Sequence, residues 1–207
     1  MNKVYVLGYK DKVPVGYTVI NTTSKSTNWS KGLSPFYVGK NMKLYDNYKA
    51  MNLENAWQFS KVYKSMVDDN NNPTKEYFKW AVKGWKDTFA HRYPMGKGAI
   101  PLYSLWNGKK YGYVDARKVI YIPLYAREVV KTSAYKELKN RYDNGEKIAL
   151  LDFDGYNYVE LGYSLYDVVH DDKRKMGHAF VLAMLLEDII IVNGDKISYN
   201  VDKMKMK

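Results

Sequence analysis

Apolar positions along this chain change their spacing several times, and each change marks an element. Short apolar runs at Lys3–Leu7 and Gly16–Ile20 predict strands, and a polar loop over Asn21–Gly32 leads into Ser34-Pro35-Phe36-Tyr37. From Asn52 to Val67 the period becomes helical. Ala56, Phe59, Val62, Tyr63 and Met66 fill one face, with Leu53 and Trp57 at its flank. Glu54, Gln58 and Lys61 fall in a narrow polar arc opposite. Asp68–Pro73 is an exposed breaker between helices. A second helix over Thr74–Ala90 sets Tyr77, Trp80, Ala81, Gly84, Trp85 and Phe89 on one face.

Val119–Leu124 reads as a strand stopped near Pro123, which lacks a ladder donor. A charged amphipathic helix follows over Arg127–Tyr142 and stops at Asn144-Gly145. Ile148–Phe153, apolar but for Asp152, reads as a central strand, and Met176–Glu187 as a buried helix. Ile189–Val192 and Lys196–Val201, joined by Asn193-Gly194, predict a terminal hairpin. The expected fold is therefore α+β (mixed α/β), with helices around a small sheet in a single domain over 1–207. Its motif-bearing core is about 22–187, and its C-terminal hairpin is 188–207.

At 207 residues one domain can bury a sizeable core. The absence of cysteine excludes disulfides, thiolate metal sites and a thiol nucleophile. The first ten residues read as a strand rather than a leader, and the apolar runs are too short to span a bilayer. A soluble cytoplasmic protein is expected, in the host cytoplasm if phage-encoded. A formal charge of +11 suits phosphate-rich partners, a nucleotide or nucleic acid, including DNA with modified bases. Only five of the 33 basic residues are arginines, so lysine-rich coding bias also accounts for part of that charge.

Several groups stand out as chemistry. The Glu54/Gln58/Lys61 row either faces water or lines a cleft. In a cleft, a carboxylate beside an amide and an ammonium would stabilise a cationic transition state while binding a leaving group, with Trp57 as a wall. Asp152 and Asp154 sit at the carboxyl end of a strand, where ligands bind in α/β sheets. The segment resembles a haloacid-dehalogenase nucleophile motif, but Tyr156 stands where a Thr is expected. Arg117 is either an anion clamp or the partner of Asp115 or Asp154. His178 opens an apolar helix and either contacts phosphate or makes a core hydrogen bond. His91, Arg92 and Lys97, with Gly96 and Gly98, form a candidate phosphate-contacting loop. The three histidines lack metal-ligand spacing, so neither a metal nor another cofactor is expected.

The order of these motifs is itself informative. Ser34-Pro35-Phe36-Tyr37, Leu53-Glu54-Asn55-Ala56-Trp57-Gln58 with Lys61, Ala116-Arg117-Lys118 before Ile120-Tyr121-Ile122-Pro123, Leu151-Asp152-Phe153 and Gly177-His178-Ala179 together resemble a family of uncharacterised bacterial and phage proteins. More distantly, the Glu-x-x-x-Gln-x-x-Lys helix is similar to the NADAR group, which hydrolyses N-glycosidic bonds in ribosyl compounds. The chain lacks that group's C-terminal Gly-x-Asn-x-Leu-Gly pattern, and Gly177-His178-Ala179 stands in a loosely comparable place. The resemblance implies an N-glycosidase for a nucleotide, an ADP-ribosyl adduct or a base in nucleic acid. Glu54 would be its carboxylate, Asp152 or Asp154 would position water or sugar hydroxyls, and Gln58, Lys61, Arg117 and His178 would hold phosphate or base. The competing expectation is a non-enzymatic basic protein that binds nucleic acid or blocks a host or defence protein.

Overall fold

The computed structural model describes residues 2–207. The chain opens with strands β1 (Tyr5–Leu7) and β2 (Thr18–Asn21), and a 3-10 turn at Trp29–Leu33 leads to β3 (Met42–Lys43) and β4 (Lys49–Ala50). Helix α1 (Leu53–Gln58) passes almost directly into β5 (Lys61–Val62), ahead of α2 (Lys75–Lys86). Strands β6 (Tyr103–Trp106) and β7 (Lys109–Tyr111) precede an unbroken helical stretch. That stretch comprises α3 (Tyr113–Ala116), a π-helical turn at Arg117–Tyr121 and α4 (Ile122–Val129). Then come α5 (Ser133–Asp143), β8 (Ile148–Leu151), α6 (Leu165–His170) and α7 (His178–Leu186). The hairpin β9 (Ile190–Asn193) and β10 (Lys196–Tyr199) and the short α8 (Val201–Lys205) complete the order. Helices with several small sheets make an α+β fold, as the sequence predicts.

The chain divides into two compact units. The first joins Met1–Ser34 to Tyr125–Lys207. Its sheet has the order β1-β8-β2, with β8 parallel to both neighbours and central, as its apolar sequence predicts. Every residue of α7 is buried, which is why that helix is apolar on all sides. The β9–β10 hairpin is present, with Asn193 opposite Lys196 and Gly194 at a positive φ of 61°.

The second unit is Pro35–Leu124. It holds the antiparallel pair β3–β4, the antiparallel sheet β5-β6-β7, and the helices α1, α2 and α3. Here the structure departs from three expectations. The helix expected over 52–67 ends at Gln58, because Ser60 turns its hydroxyl onto Trp57 O at 2.8 Å and Lys61 and Val62 pair with β6 instead. The Tyr77 hydroxyl of α2 shares its proton between the carbonyls of Phe59 and Ser60, at 3.2 and 3.3 Å, just past the helix end. Phe89 lies beyond α2 and is exposed rather than part of its apolar face.

The strand expected at Val119–Leu124 is helical. Ala116, Ile120 and Leu124 are buried at a spacing of four, and that burial outweighs the strand preference of the β-branched residues between them. The helix expected over Arg127–Tyr142 is two helices. Thr132 divides them, donating to Val129 O at 2.7 Å and accepting from Tyr135 N at 3.1 Å as the cap of α5.

Candidate functional site

Asn52 starts α1 by accepting from Asn55 N at 2.8 Å, which places Glu54 in the first turn, where the helix dipole favours a carboxylate. Glu54 is only 7% exposed. Gln58 Nε2 donates to its Oε1 at 3.0 Å, and Lys61 Nζ donates to Gln58 Oε1 at 2.7 Å. Lys61 lies on β5 rather than on the helix, yet it folds back so that its ammonium stands 5.0 Å from the centre of the Trp57 ring. The three groups therefore form a directed chain from ammonium to amide to carboxylate. It is not a solvated helix face, since Glu54 is buried and Gln58 and Lys61 are half-buried.

Trp57 connects this chain to the π-helical turn. Its ring packs on Tyr121 with centroids 5.3 Å apart. Tyr121 ends that turn and Arg117 begins it. Arg117 is 1% exposed, and its guanidinium lies 4.2 Å from the Tyr113 ring centre. A single π turn within a helical stretch frequently accompanies a functional position. Asp115, one of the partners considered for Arg117, instead pairs with Lys118 at 3.0 Å on the surface.

The candidate phosphate loop is held by α1. Asn55, fully buried, donates to the carbonyls of Asp87 and Phe89 at 3.0 and 2.8 Å and accepts from His91 N at 2.8 Å. Sequence reasoning missed this residue, although an asparagine inside an apolar helix is itself a sign of an internal polar partner. The His91 ring meets Asp87 at 2.7 Å, and hydrogen bonds from that ring and from Phe89 N lower the Asp87 pKa. Arg92 stands 5.4 Å from the Tyr93 ring, and Lys97 is exposed between two glycines of positive φ. A separate half-open hollow of about 570 Å³ in this unit is lined by Asn41, Tyr48, Lys49, Trp85 and Lys86 among others. None of the sequence-predicted site residues lines it.

Asp152 and His178 lie together in the other unit, 3% and 4% exposed. His178 Nδ1 is 3.0 Å from Asp152 Oδ2, and its Nε2 is 2.8 Å from the carbonyl of Thr22. Ala179 N donates to Asp152 Oδ2 at 3.1 Å, and Asp154 N to Oδ1 at 3.4 Å. Burial opposes ionisation of Asp152, but the charge and hydrogen bond of His178 and the two amides outweigh it. The carboxyl pKa is held below its usual range. The carboxylate thus caps the start of α7. Gly177 makes room for it, since a Cβ there would lie 2.1 Å from Asp152 Oδ2. Asp154 is half-buried in the turn that follows β8. Among the described residues no group of three or more His, Asp or Glu side chains is arranged to hold a metal ion. No described helix is long and apolar enough to cross a membrane.

A family model matches residues 8–161. The chain belongs to the family of unknown function DUF6939. The matched stretch includes Glu54, Trp57, Gln58, Lys61, His91, Arg92, Lys97, Arg117, Asp152 and Asp154, while His178 lies beyond it. No curated protein and no solved structure matches the chain.

Proposed function

We propose that the protein hydrolyses an N-glycosidic bond in a nucleotide, an ADP-ribosyl adduct or a base of nucleic acid, with Glu54 as the reacting carboxylate. The observation that carries this reading is the hydrogen-bonded chain from Lys61 through Gln58 to a buried Glu54. When the bond from sugar to base breaks, its electron pair leaves with the base and positive charge develops at the anomeric carbon. A fixed carboxylate in a poorly hydrated place stabilises that charge strongly. Glu54 also accepts the proton that an attacking water must lose. Gln58 fixes the orientation of the carboxylate, and Lys61 polarises the amide that does so. Trp57, packed against Tyr121 with the Lys61 ammonium over its ring, keeps water from the carboxylate. The similarity of Glu54-x-x-x-Gln58-x-x-Lys61 to the NADAR pattern supports the same reaction.

The test is incubation with ADP-ribosylated substrates, free nucleotides and DNA bearing modified bases, with released base read by mass spectrometry. Release is expected from one of these classes, and Glu54→Gln should reduce it by about 10²-fold or more. Undiminished release by the variant would remove Glu54 from the mechanism. No release from any substrate would favour the non-enzymatic reading, to which the surplus of lysine lends weight.

A further inference from the structure

We infer that the unit built from both ends of the chain carries a binding surface for single-stranded nucleic acid at the carboxyl ends of β1 and β8. Tyr9 and Phe153 would be its stacking rings and Lys25 its phosphate contact. The two strands are parallel neighbours with Leu7 opposite Leu151, so the loops that follow leave the same edge of the sheet side by side. Each loop places an aromatic ring two residues past its strand. The rings stack with centroids 5.4 Å apart and planes 28° from parallel, and they are 56% and 37% exposed. The loop after β2 joins them. Thr23 Oγ1 lies 3.4 Å from Tyr9 Oη, and Lys25 Nζ stands 5.6 Å from the Phe153 ring centre.

Hydrogen bonds and close backbone packing tie this platform together. The Asp11 carboxylate accepts from Gly8 N at 2.8 Å and from Asn157 N at 2.9 Å, tying the first loop to the segment after Phe153. Gly155 lets the loops touch, since a Cβ there would lie 2.4 Å from Leu7 O. The same bonds turn the Asp11 charge onto backbone amides, while Lys10 and Lys12, its chain neighbours, and Lys25 are exposed. Asp154, beside Phe153, is half-buried. Exposed rings on a preorganised base, flanked by ammonium groups, match a polymer that alternates flat faces with negative charge. Only unpaired bases present such faces, because in a duplex they are stacked on one another. The position is also where ligands bind in parallel sheets, outside the carboxyl ends of the strands.

The experiment is fluorescence anisotropy of a labelled 20-nucleotide oligo-dT with the full chain at 50 and 200 mM salt. Binding is expected, weakening as salt rises, and a duplex of equal length should bind less tightly. Tyr9→Ala and Phe153→Ala should each lower affinity by about tenfold, Phe153→Tyr should retain it, and Lys25→Gln should make the salt dependence shallower. Absence of binding at 50 mM salt would overturn the inference, as would unchanged affinity in Tyr9→Ala. The second criterion holds even if Phe153→Ala proves unable to fold. The readout requires no turnover, so it stands or falls separately from the glycosidase reading.

Discussion

His178 presents both ring nitrogens to acceptors, the Asp152 carboxylate and the Thr22 carbonyl, so both must carry protons for both bonds to form. A buried ion pair of this kind is costly to break from one side. Asp152→Asn should lower unfolding free energy by about 3 kcal/mol, measured by urea denaturation at neutral pH. Loss of only a few tenths would mean that the carboxylate's charge is unimportant. The pH dependence follows from the depressed Asp152 pKa. Its stabilisation is fully present above the ordinary carboxylate pKa of about 4 and is lost as pH falls through the lower folded value. A melting-temperature series from pH 7 down to pH 3 should therefore decline, and decline less steeply in Asp152→Asn. Both residues are conspicuous in the sequence, but their partnership is not. It depends on β8 ending where α7 begins in space, and no local spacing encodes that.

At the scale of elements, boundaries were the least legible feature of the sequence. Leu53, Ala56, Trp57 and Phe59 are buried as their helical spacing predicts, yet the helix stops at Gln58 because distant residues complete its end. Tyr77 shares its one hydroxyl proton between the Phe59 and Ser60 carbonyls just past the helix, and β6 supplies a partner for Lys61 and Val62. The helical Val119–Leu124 segment has a similar origin. Its run of Val, Ile and Tyr suits a strand, but the repeat of Ala116, Ile120 and Leu124 gives it a buried helical face, and the repeat decides. The approach of α2 to the end of α1 is close. A Cβ on Gly84 would lie 2.1 Å from the Phe59 ring. Gly84→Ala should gain helix propensity and still destabilise the protein by about 1–3 kcal/mol, because the ring has to move. Thermal unfolding followed by circular dichroism checks this, and a rise in melting temperature would show that the helices separate easily. The Glu54 row was legible for a related reason. Residues at i, i+4 and i+7 stay neighbours even though the last of them has left the helix.

For the molecule as a whole, the order of strands and helices along the sequence indicated the α+β fold, and no described helix is long and apolar enough to cross a membrane. That order could not indicate how the two stretches Met1–Ser34 and Tyr125–Lys207 combine, because that information lies in pairings between distant residues. The central strand of the three-stranded sheet is the last of the three to be made. β8 lies between β1 and β2, with Tyr5 opposite Ala149 and Val19 also opposite Ala149. During translation, the first two strands therefore leave the ribosome with nothing to pair with and must wait until Ile148–Leu151 has cleared the exit tunnel. Nascent chains stalled before Ile148 should be cut by added protease within Tyr5–Asn21, and chains stalled well after Leu186 should resist at the same bonds. Such a chain depends on protection of its leading segment through most of its own synthesis, which makes elongation rate and chaperone supply part of what determines its yield.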